Sequence, residues 1–489
     1  MVLIHLLPEL ILFLGALSIL MIDVFFGKKF KNQSRPALIT AIILTVVALF
    51  AVIHGYDVKV SLFSDMFFVN KFTSYAKIVI LILLLGVILL SENFVNIERK
   101  ISSEFIALAM IATTGSMLLI SSNDLLPFYL SLELQSLSLY ILAAMKKDSN
   151  KSTESGMKYF ILGSVSSGIL LLGISFVYGF TGSTNFSDIF YLLSKYDHAN
   201  SLLFPVGLLI GFILVFVAIL FKVAAAPFHM WSPDVYQGAP SNVTAFFASV
   251  IKFTMILAMV KIYIYLIHSL GNFNHILIFV AVLSLLVGSL GALKQSNIKR
   301  MLAYSGIGHV GFIIAGLSAA NFESLKAVIL YATIYASLSI GAFALLILLV
   351  NKTKSEIGED ENNDKIYQIS SLAGISKTNP LIALCLAILM FSMAGIPPMA
   401  GFFAKFYIIL SIVKQELYFL AVIAVLTSVI SAVYYLRIIK VMYFDEKDTT
   451  IEINSKSTTI YVLSLAALFN LLLITFIKPF LATIAKLFG

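Results

Sequence analysis

Apolar runs of about 20 residues, separated by short polar joints, recur along the whole chain. That is the length an α-helix needs to cross the ~30 Å hydrocarbon core of a bilayer. Fourteen runs can be placed, near residues 2–22, 36–54, 74–91, 102–121, 125–144, 156–180, 202–223, 241–266, 273–293, 301–319, 327–350, 380–413, 417–442 and 458–478. Most joints carry Pro, Asn, Ser or a basic cluster, the residues of turns between antiparallel helices. Two are longer. Residues 351–379 hold Glu356, Glu359, Asp360, Glu361 and Asp364 and read as a solvated loop, and residues 181–201 leave room for a surface helix around Phe186–Tyr196. The pattern predicts an all-α, polytopic membrane protein.

Composition agrees and excludes other classes. The chain has 489 residues, 60% hydrophobic and 12% charged, with a mean hydropathy of +1.00. Soluble domains carry roughly 25% charge, so a soluble globular protein, a nucleic-acid binder and a disordered scaffold are all ruled out. Residues 2–22 read as a retained first span, because no basic segment precedes them and no small-residue cleavage site follows. The basic balance reports orientation. With the N-terminus outside, inner loops hold eighteen Lys and Arg, among them Lys28, Lys29, Lys31, Arg35, Lys146, Lys147, Lys151, Lys299 and Arg300, against seven in outer loops. Both termini are then expected to face the periplasm.

Two spans are interrupted. Residues 202–231 are broken by Pro227 and end in FHMWSPDVYQGAP, and residues 380–413 are broken by GIPP at Gly395–Pro398. Non-helical backbone at membrane depth survives only where protein or water satisfies it. Paired interrupted helices in two halves of a chain point to a transport site between inverted repeats; prolines that merely kink long helices for packing are the plainer alternative.

Charge in mid-span is the informative chemistry. Of the 25 acidic residues, Glu133 alone falls well inside a span, in FYLSLELQSLSLY. Lys222 closes an apolar run yet is followed by more apolar chain, Lys252 lies deep in TAFFASVIKFTMILAMV, and Lys405 follows the double-proline break in MAGFFAKFYIIL. Each such charge costs roughly 2.5–3.5 kcal/mol to insert, so four make on the order of 10 kcal/mol, comparable to a protein's net stability. Leu would pack better, so packing does not account for them. Burial disfavours an ammonium and a nearby carboxylate favours it, so one Glu and several Lys at one depth are groups that trade protons, with hydroxyls, imidazole and water as links. Lys158, in ESGMKYFILG, fits either a snorkelling side chain or a pore group, and His309, in RMLAYSGIGHVGF, either a packing donor or a relay link. Lys77, Lys261, Arg437 and Lys440 lie near span ends and read as snorkelling; His229 and Asp234 read as caps of the first break. Cys385 is the single cysteine, so a disulfide or thiolate-ligated cluster within this chain is excluded. No histidine pair has haem or zinc spacing, and no metal or redox cofactor is expected in this chain.

At these residues the chain resembles the antiporter-like membrane subunits of proton-pumping NADH–quinone oxidoreductase, respiratory complex I. FKVAAAPFHMWSPDVYQGAP, residues 221–240, with Lys252 following, is the most specific segment. Its VYQGAP wording is closer to the bacterial N-type subunit than to the L and M types or to multisubunit cation/proton antiporters. NIKRMLAYSGIGHVGF and MAGIPPMAGFFAKFYI fit the family more broadly.

The resemblance implies accessory helices one to three in residues 1–101, a first five-helix repeat in 102–266, an inverted second repeat in 267–442, and helix fourteen in 443–489. It implies that Glu133 pairs with Lys222, that Lys252 is the central relay, and that Lys405 opens to the outer side. It also implies a bacterial inner-membrane location among other membrane and peripheral subunits, with membrane lipid around the chain and protons as the transported species. NADH, FMN, iron–sulfur clusters and quinone would then be held by other subunits. Two other classes stay in view: a Na⁺/H⁺ antiporter subunit, which the VYQGAP wording disfavours, and a purely structural membrane subunit, which the buried charges disfavour.

Overall fold

The computed structural model describes residues 2–26, 35–92, 101–146, 148–197, 206–266, 273–351, 366–446, 451–453 and 458–488. The acidic stretch Glu356–Asp364 and the loop lysines Lys28, Lys29, Lys31 and Lys147 lie outside the described residues. Thirteen helices among the described residues are long and apolar enough to cross a membrane. In chain order the helices are α1 (Leu7–Phe26), α2 (Arg35–His54), α3 (Lys71–Leu90), α4 (Ile101–Ser121), α5 (Leu125–Ala143), α6 (Asn150–Thr181), the amphipathic α7 (Phe186–Asp197) and α8 (Val206–Val223). They continue with the short α9 (Trp231–Gly238), α10 (Ser241–Phe246), α11 (Lys252–Leu266), α12 (Phe273–Leu293), α13 (Ile298–Ser318), α14 (Phe322–Leu348) and one turn at α15 (Ile375–Thr378). The last are α16 (Pro380–Ala394), α17 (Ala400–Lys414), α18 (Tyr418–Phe444) and α19 (Thr459–Ala485). The fourteenth predicted crossing is the pair α16 and α17, each of 15 residues. The predicted surface helix is present as α7.

Polar joints start the helices that matter. The Asp124 side chain accepts from the Leu126 amide at 2.9 Å and opens α5, and Asn297 accepts from the Arg300 amide at 3.2 Å and opens α13. Each supplies an acceptor to an otherwise unpaired first-turn N–H. The sequence pattern did not anticipate two small antiparallel ribbons, β1 (Val60–Leu62) with β2 (Phe67–Val69) and β3 (Leu349–Asn351) with β4 (Ile451–Ile453). Three-residue strands are too short to register as a period-2 pattern.

Burial defines the centre of the bundle. Residues 241–263 are all buried, and most of the residues of α13 and α14 are buried, whereas most of α2 is not. A helix that is apolar and buried all round lies among other helices, so α10–α11, α13 and α14 form the interior. The outer helices present Leu14, Phe50, Val429 and similar side chains outward, as a lipid-facing surface requires.

Both predicted breaks are present, and protein groups satisfy each. After α8, Ala224 adopts a left-handed φ of 61°, and the Trp231 indole donates to the Phe221 carbonyl at 2.9 Å. The Ala226 amide donates to Ser284 at 2.9 Å. After α16, Gly395 takes φ 84°, which glycine adopts without the steric penalty of a side chain. One feature carried no sequence signal: between α10 and α11 the helix widens to a π-turn at Phe247–Ile251, immediately before Lys252. Such turns appear mostly as single insertions, frequently at functional sites.

Candidate functional site: a line of buried lysines

Lys222, Lys252 and Lys405 are buried, at 7%, 3% and 5% exposure. Lys222 occupies the last turn of α8 before the first break. Its ammonium donates to Ser136 at 2.7 Å and to the Tyr140 hydroxyl at 3.3 Å, both on α5. Glu133, on the same helix and only partly buried, accepts a hydrogen bond from Ser167 of α6. The expected Glu133–Lys222 ion pair is therefore not a direct contact. The Tyr140 hydroxyl interacts with both Ser136 and Ser167, so hydroxyls bridge the carboxylate to the ammonium, and the charge of Glu133 still acts on Lys222 across them. Glu133, Ser136 and Tyr140 follow an i, i+3, i+7 spacing that sets all three on one helix face, a signal available in the sequence.

Lys252 opens α11 straight after the π-turn. Its ammonium lies 3.5 Å from the Tyr335 hydroxyl of α14 and over the rings of Tyr236 and Tyr335 at 5.7 and 5.6 Å. Gly306 of α13 makes room for it: a Cβ there would sit 2.7 Å from both Lys252 Nζ and the Tyr335 hydroxyl. One turn on, His309 is buried and bridges two tyrosines, Tyr331 at 2.8 Å through Nδ1 and Tyr435 at 3.1 Å through Nε2. Its ring packs 5.0 Å from Tyr335, and both Lys252 and Lys405 act on it electrostatically. Tyr435 in turn bonds Ser305.

Between His309 and Lys405 lies a cavity of about 10 Å³, walled by Ser289, Ser305, Thr427, Ser431 and Tyr435 among others. That is about the volume one water molecule needs, and its polar wall suits one. Lys405 donates to the Ala394 carbonyl at 2.9 Å and to Ser428 at 3.0 Å. The carbonyl is one that the second break leaves without an intrahelical partner, so the lysine caps α16 from the start of α17.

Other expectations fall differently. Lys158 stands apart from this line. It pairs with Glu154 at 2.7 Å and Asp234 at 2.8 Å, Arg300 reaches Asp234 at 2.6 Å, and these side chains are a third to three-fifths exposed. They line an open pocket of about 180 Å³ with Lys151, Ser155, Gln237 and Gly238. Asp234 thus anchors an ionic cluster instead of capping the break. Partial burial pushes its carboxyl up, but the Lys158 and Arg300 hydrogen bonds outweigh this and hold it below the usual carboxylate range. Arg437 and Lys440 reach the surface as expected, the latter beside Asp445 at 3.7 Å. Lys77 and Lys261 do not: both are buried, at 2% and 8%, so snorkelling is wrong for them, and Glu9, read as a span-end residue, is buried beside Lys77. Residues placed near span ends by hydropathy carry no information on which neighbours cover them.

The comparisons with known proteins follow the same lines. The description of the NADH:quinone oxidoreductase/Mrp antiporter transmembrane family matches residues 122–431. NADH-quinone oxidoreductase subunit N of Methylobacterium nodulans is 41% identical over 448 residues, covering 91% of this chain and 89% of that one. The subunit N of Pelagibacter ubique is 40% identical over 443 residues, covering 90% and 89%. Among solved structures, respiratory complex I from Thermus thermophilus holds a chain superposing with a TM-score of 0.77 at 25% identity, covering 95% of this chain and 97% of that one. A chain of the Mrp complex from Dietzia superposes with a TM-score of 0.82 at 19% identity, covering 99% and 97%, and shares the fold. The chain belongs to the family of NADH-quinone oxidoreductase subunit N, membrane proteins of the antiporter-like fold.

Proposed function

We propose that this chain moves protons across the bacterial inner membrane as a membrane subunit of NADH–quinone oxidoreductase. Its path runs along Glu133, Lys222, Lys252, His309 and Lys405. The observation that carries the reading is the file from Lys252 through Tyr335, His309 and Tyr435 to the water-sized cavity beside Lys405. Hydrogen bonds join Lys252 to Tyr335 and His309 to Tyr435, and between them the Tyr335 and His309 rings lie 5.0 Å apart. Lysine, hydroxyl and imidazole groups that can pass protons thus follow one another with a single step not bridged by a direct hydrogen bond. Glu133 is the adjustable charge at one end: its distance from Lys222, across Ser167 and Tyr140, sets how firmly that lysine keeps its proton. Electron transfer from NADH to quinone belongs to partner subunits that hold the FMN, the iron–sulfur clusters and the quinone. The cluster around Lys158 and Asp234, open to the surface, serves as the collecting mouth on the basic, inner side.

Residues 102–266 and 267–442 act as two five-helix units, with 1–101 and 443–489 flanking them. In support, each unit carries its break in its fourth crossing, after Val223 and after Ala394. The test is purification in mild detergent followed by reconstitution. The chain is expected to co-purify with redox subunits, and the vesicles to acidify on NADH oxidation. Isolation of the chain alone, with the redox subunits assembling and pumping fully without it, overturns the reading.

A further inference from the structure

A second group of buried charges lies off this path. Glu9 on α1, Lys77 on α3 and Lys261 on α11 are each less than a tenth exposed. Lys77 Nζ stands 2.6 Å from Glu9 Oε1. Lys261 donates to the Ile120 carbonyl at 2.9 Å and to the Ser122 carbonyl, at the C-terminal end of α4, where the helix leaves carbonyls unpaired and partial negative charge accumulates. The helix that carries Lys77, α3, packs against both α4 and α11. The cluster gathers the starts of α1 and α3 and the ends of α4 and α11, so it sits at one end of the bundle. Lys252 and Lys261 share a helix, about 13.5 Å apart along its axis and on opposite faces at 3.6 residues per turn.

The charges do not balance. Two ammoniums and one carboxylate leave one net positive charge in a buried site, and an uncompensated buried charge is strongly unfavourable. Release of a single proton makes the cluster neutral. Lys77 has a carboxylate against it, whereas Lys261 has only neutral carbonyls, so Lys261 is the group that releases. Acceptors are in surplus: neither Glu9 oxygen receives a hydrogen bond of normal geometry, and the buried Ser121 hydroxyl, between the two acceptor carbonyls in the chain, has no partner. Among the described residues, other titratable groups on or beside these elements include His5, one turn before Glu9; Tyr75 on α3, hydrogen-bonded to Thr333 at 2.9 Å; Tyr263 on α11, which donates to Asn274 at 3.1 Å; and the buried Asp124, two residues past Ser122, whose carboxylate is taken up by the Leu126 amide at 2.9 Å and the Thr184 hydroxyl at 2.8 Å. The two ammoniums exclude a metal cation.

We infer that Glu9, Lys77 and Lys261 form a second proton-binding site, in which Lys261 takes up and releases one proton to water at that end of the bundle and so couples its occupancy to the helix that carries Lys252. On release an N–H bond of the ammonium breaks, the electron pair stays on Nζ, and the proton leaves as hydronium. The inference rests on the reading that this chain moves protons.

The discriminating variant is Lys261→Arg in the complete oxidoreductase, reconstituted in vesicles. Arginine keeps the charge and can still donate to the carbonyls, but it does not deprotonate. The expected result is an assembled complex that pumps several-fold fewer protons per electron. Unchanged pumping by assembled Lys261→Arg overturns the inference and returns Lys261 to a static cap of α4. If the arginine complex does not assemble, Lys261→Met decides: an assembled complex with reduced pumping supports the site, whereas normal pumping or loss of assembly overturns it. Lys252→Arg, measured in parallel, separates this outcome from failure of the main path. Normal pumping by that variant sinks the proposed path whatever Lys261 does.

Discussion

The stretch from Lys252 to Lys405 and the stretch from Lys222 to Lys252 span the same bundle with different materials. The first is lined by hydroxyls, an imidazole and a water-sized cavity. The second is lined by aromatic faces: Tyr140 meets Tyr159 edge-on at 4.9 Å, Tyr159 stacks on Trp231 at 4.6 Å and leans on Phe247 at 5.5 Å, and Tyr236 lies under Lys252. Hydrogen bonds run along the first side in two segments joined by the Tyr335–His309 ring contact, and stop after Tyr140 on the other. On the proposed path, a proton would cross the first stretch by exchange between fixed groups, whereas the second would conduct only when water enters between the rings. The π-turn at Phe247–Ile251 lies at that junction, and a widened turn is the local backbone feature best able to shift a ring without breaking a helix. On the proposed path, the contrast gives standing conduction to one half and gating to the other.

The strongest way to break that contrast is at the junction itself. Lys252→Ala is expected to lower proton pumping on the order of tenfold or more, within the range that positioned proton-transfer groups contribute, in a complex that still assembles. Lys252→Arg is expected to do the same, because a guanidinium retains its proton. Measuring protons per electron in reconstituted vesicles checks both, and normal pumping in either refutes the relay. Next in size is the gated side. Glu133→Gln keeps the shape of the side chain and removes its charge, so pumping is expected to fall several-fold with assembly intact, and Glu133→Asp to retain part of it. Tyr140→Phe removes the hydroxyl between Ser167 and Lys222 and is expected to mimic Glu133→Gln in part. Full pumping by Glu133→Gln/Lys222→Met shows instead that the two charges only pin α5 to α8.

Sequence alone reached much of this. Span lengths, both breaks, the surface helix at Phe186, the three buried lysines and the partly buried Glu133 were legible because each is a local departure from an apolar run. Partners were not, since hydropathy does not say which helix faces which. Glu133 and Lys222 were expected to touch and instead meet through Ser136, Ser167 and Tyr140. Lys158 was left between a snorkelling side chain and a pore group, and two carboxylates hold it at the rim. Lys77 and Lys261 were misread because a position near a span end resembles a surface position until its neighbours are known. The π-turn left no trace, since its residues, FASVI, are ordinary helix formers in composition.

Two smaller effects sharpen the comparison. Gly306→Ala forces a methyl against Lys252 and Tyr335, so it is expected to destabilise the complex by about 1–3 kcal/mol, as overpacking does, and to slow pumping a few-fold. Thermal unfolding and vesicle acidification check the two parts, and an unaffected pump shows that the Lys252–Tyr335 contact is dispensable. The smallest effect belongs to Asp234→Asn. Because its folded-state carboxyl is held below the usual range, its stabilisation is present above the unfolded carboxyl's pKa of about 4 and fades as pH falls through the lowered folded value. Its solvent exposure limits the loss at neutral pH to about 1 kcal/mol. Stability of parent and variant is expected to converge in acid, and a gap that persists there contradicts the assignment.

The cap that Lys405 places on Ala394 sets a clock. The ammonium lines the cavity from its place on the Ala394 carbonyl, and moving further along would give up a hydrogen bond from a charged group, worth about 1.5–3 kcal/mol. At 1.4 kcal/mol per factor of ten, the side chain spends on the order of one part in ten to one part in a hundred of its time away from rest. The broken helix therefore gives Lys405 a home position and a short leash. On the proposed path, a proton held by Lys405 would travel in brief excursions set by that backbone carbonyl, and lengthening α16 by one ordinary turn through Gly395 would remove the home along with the break.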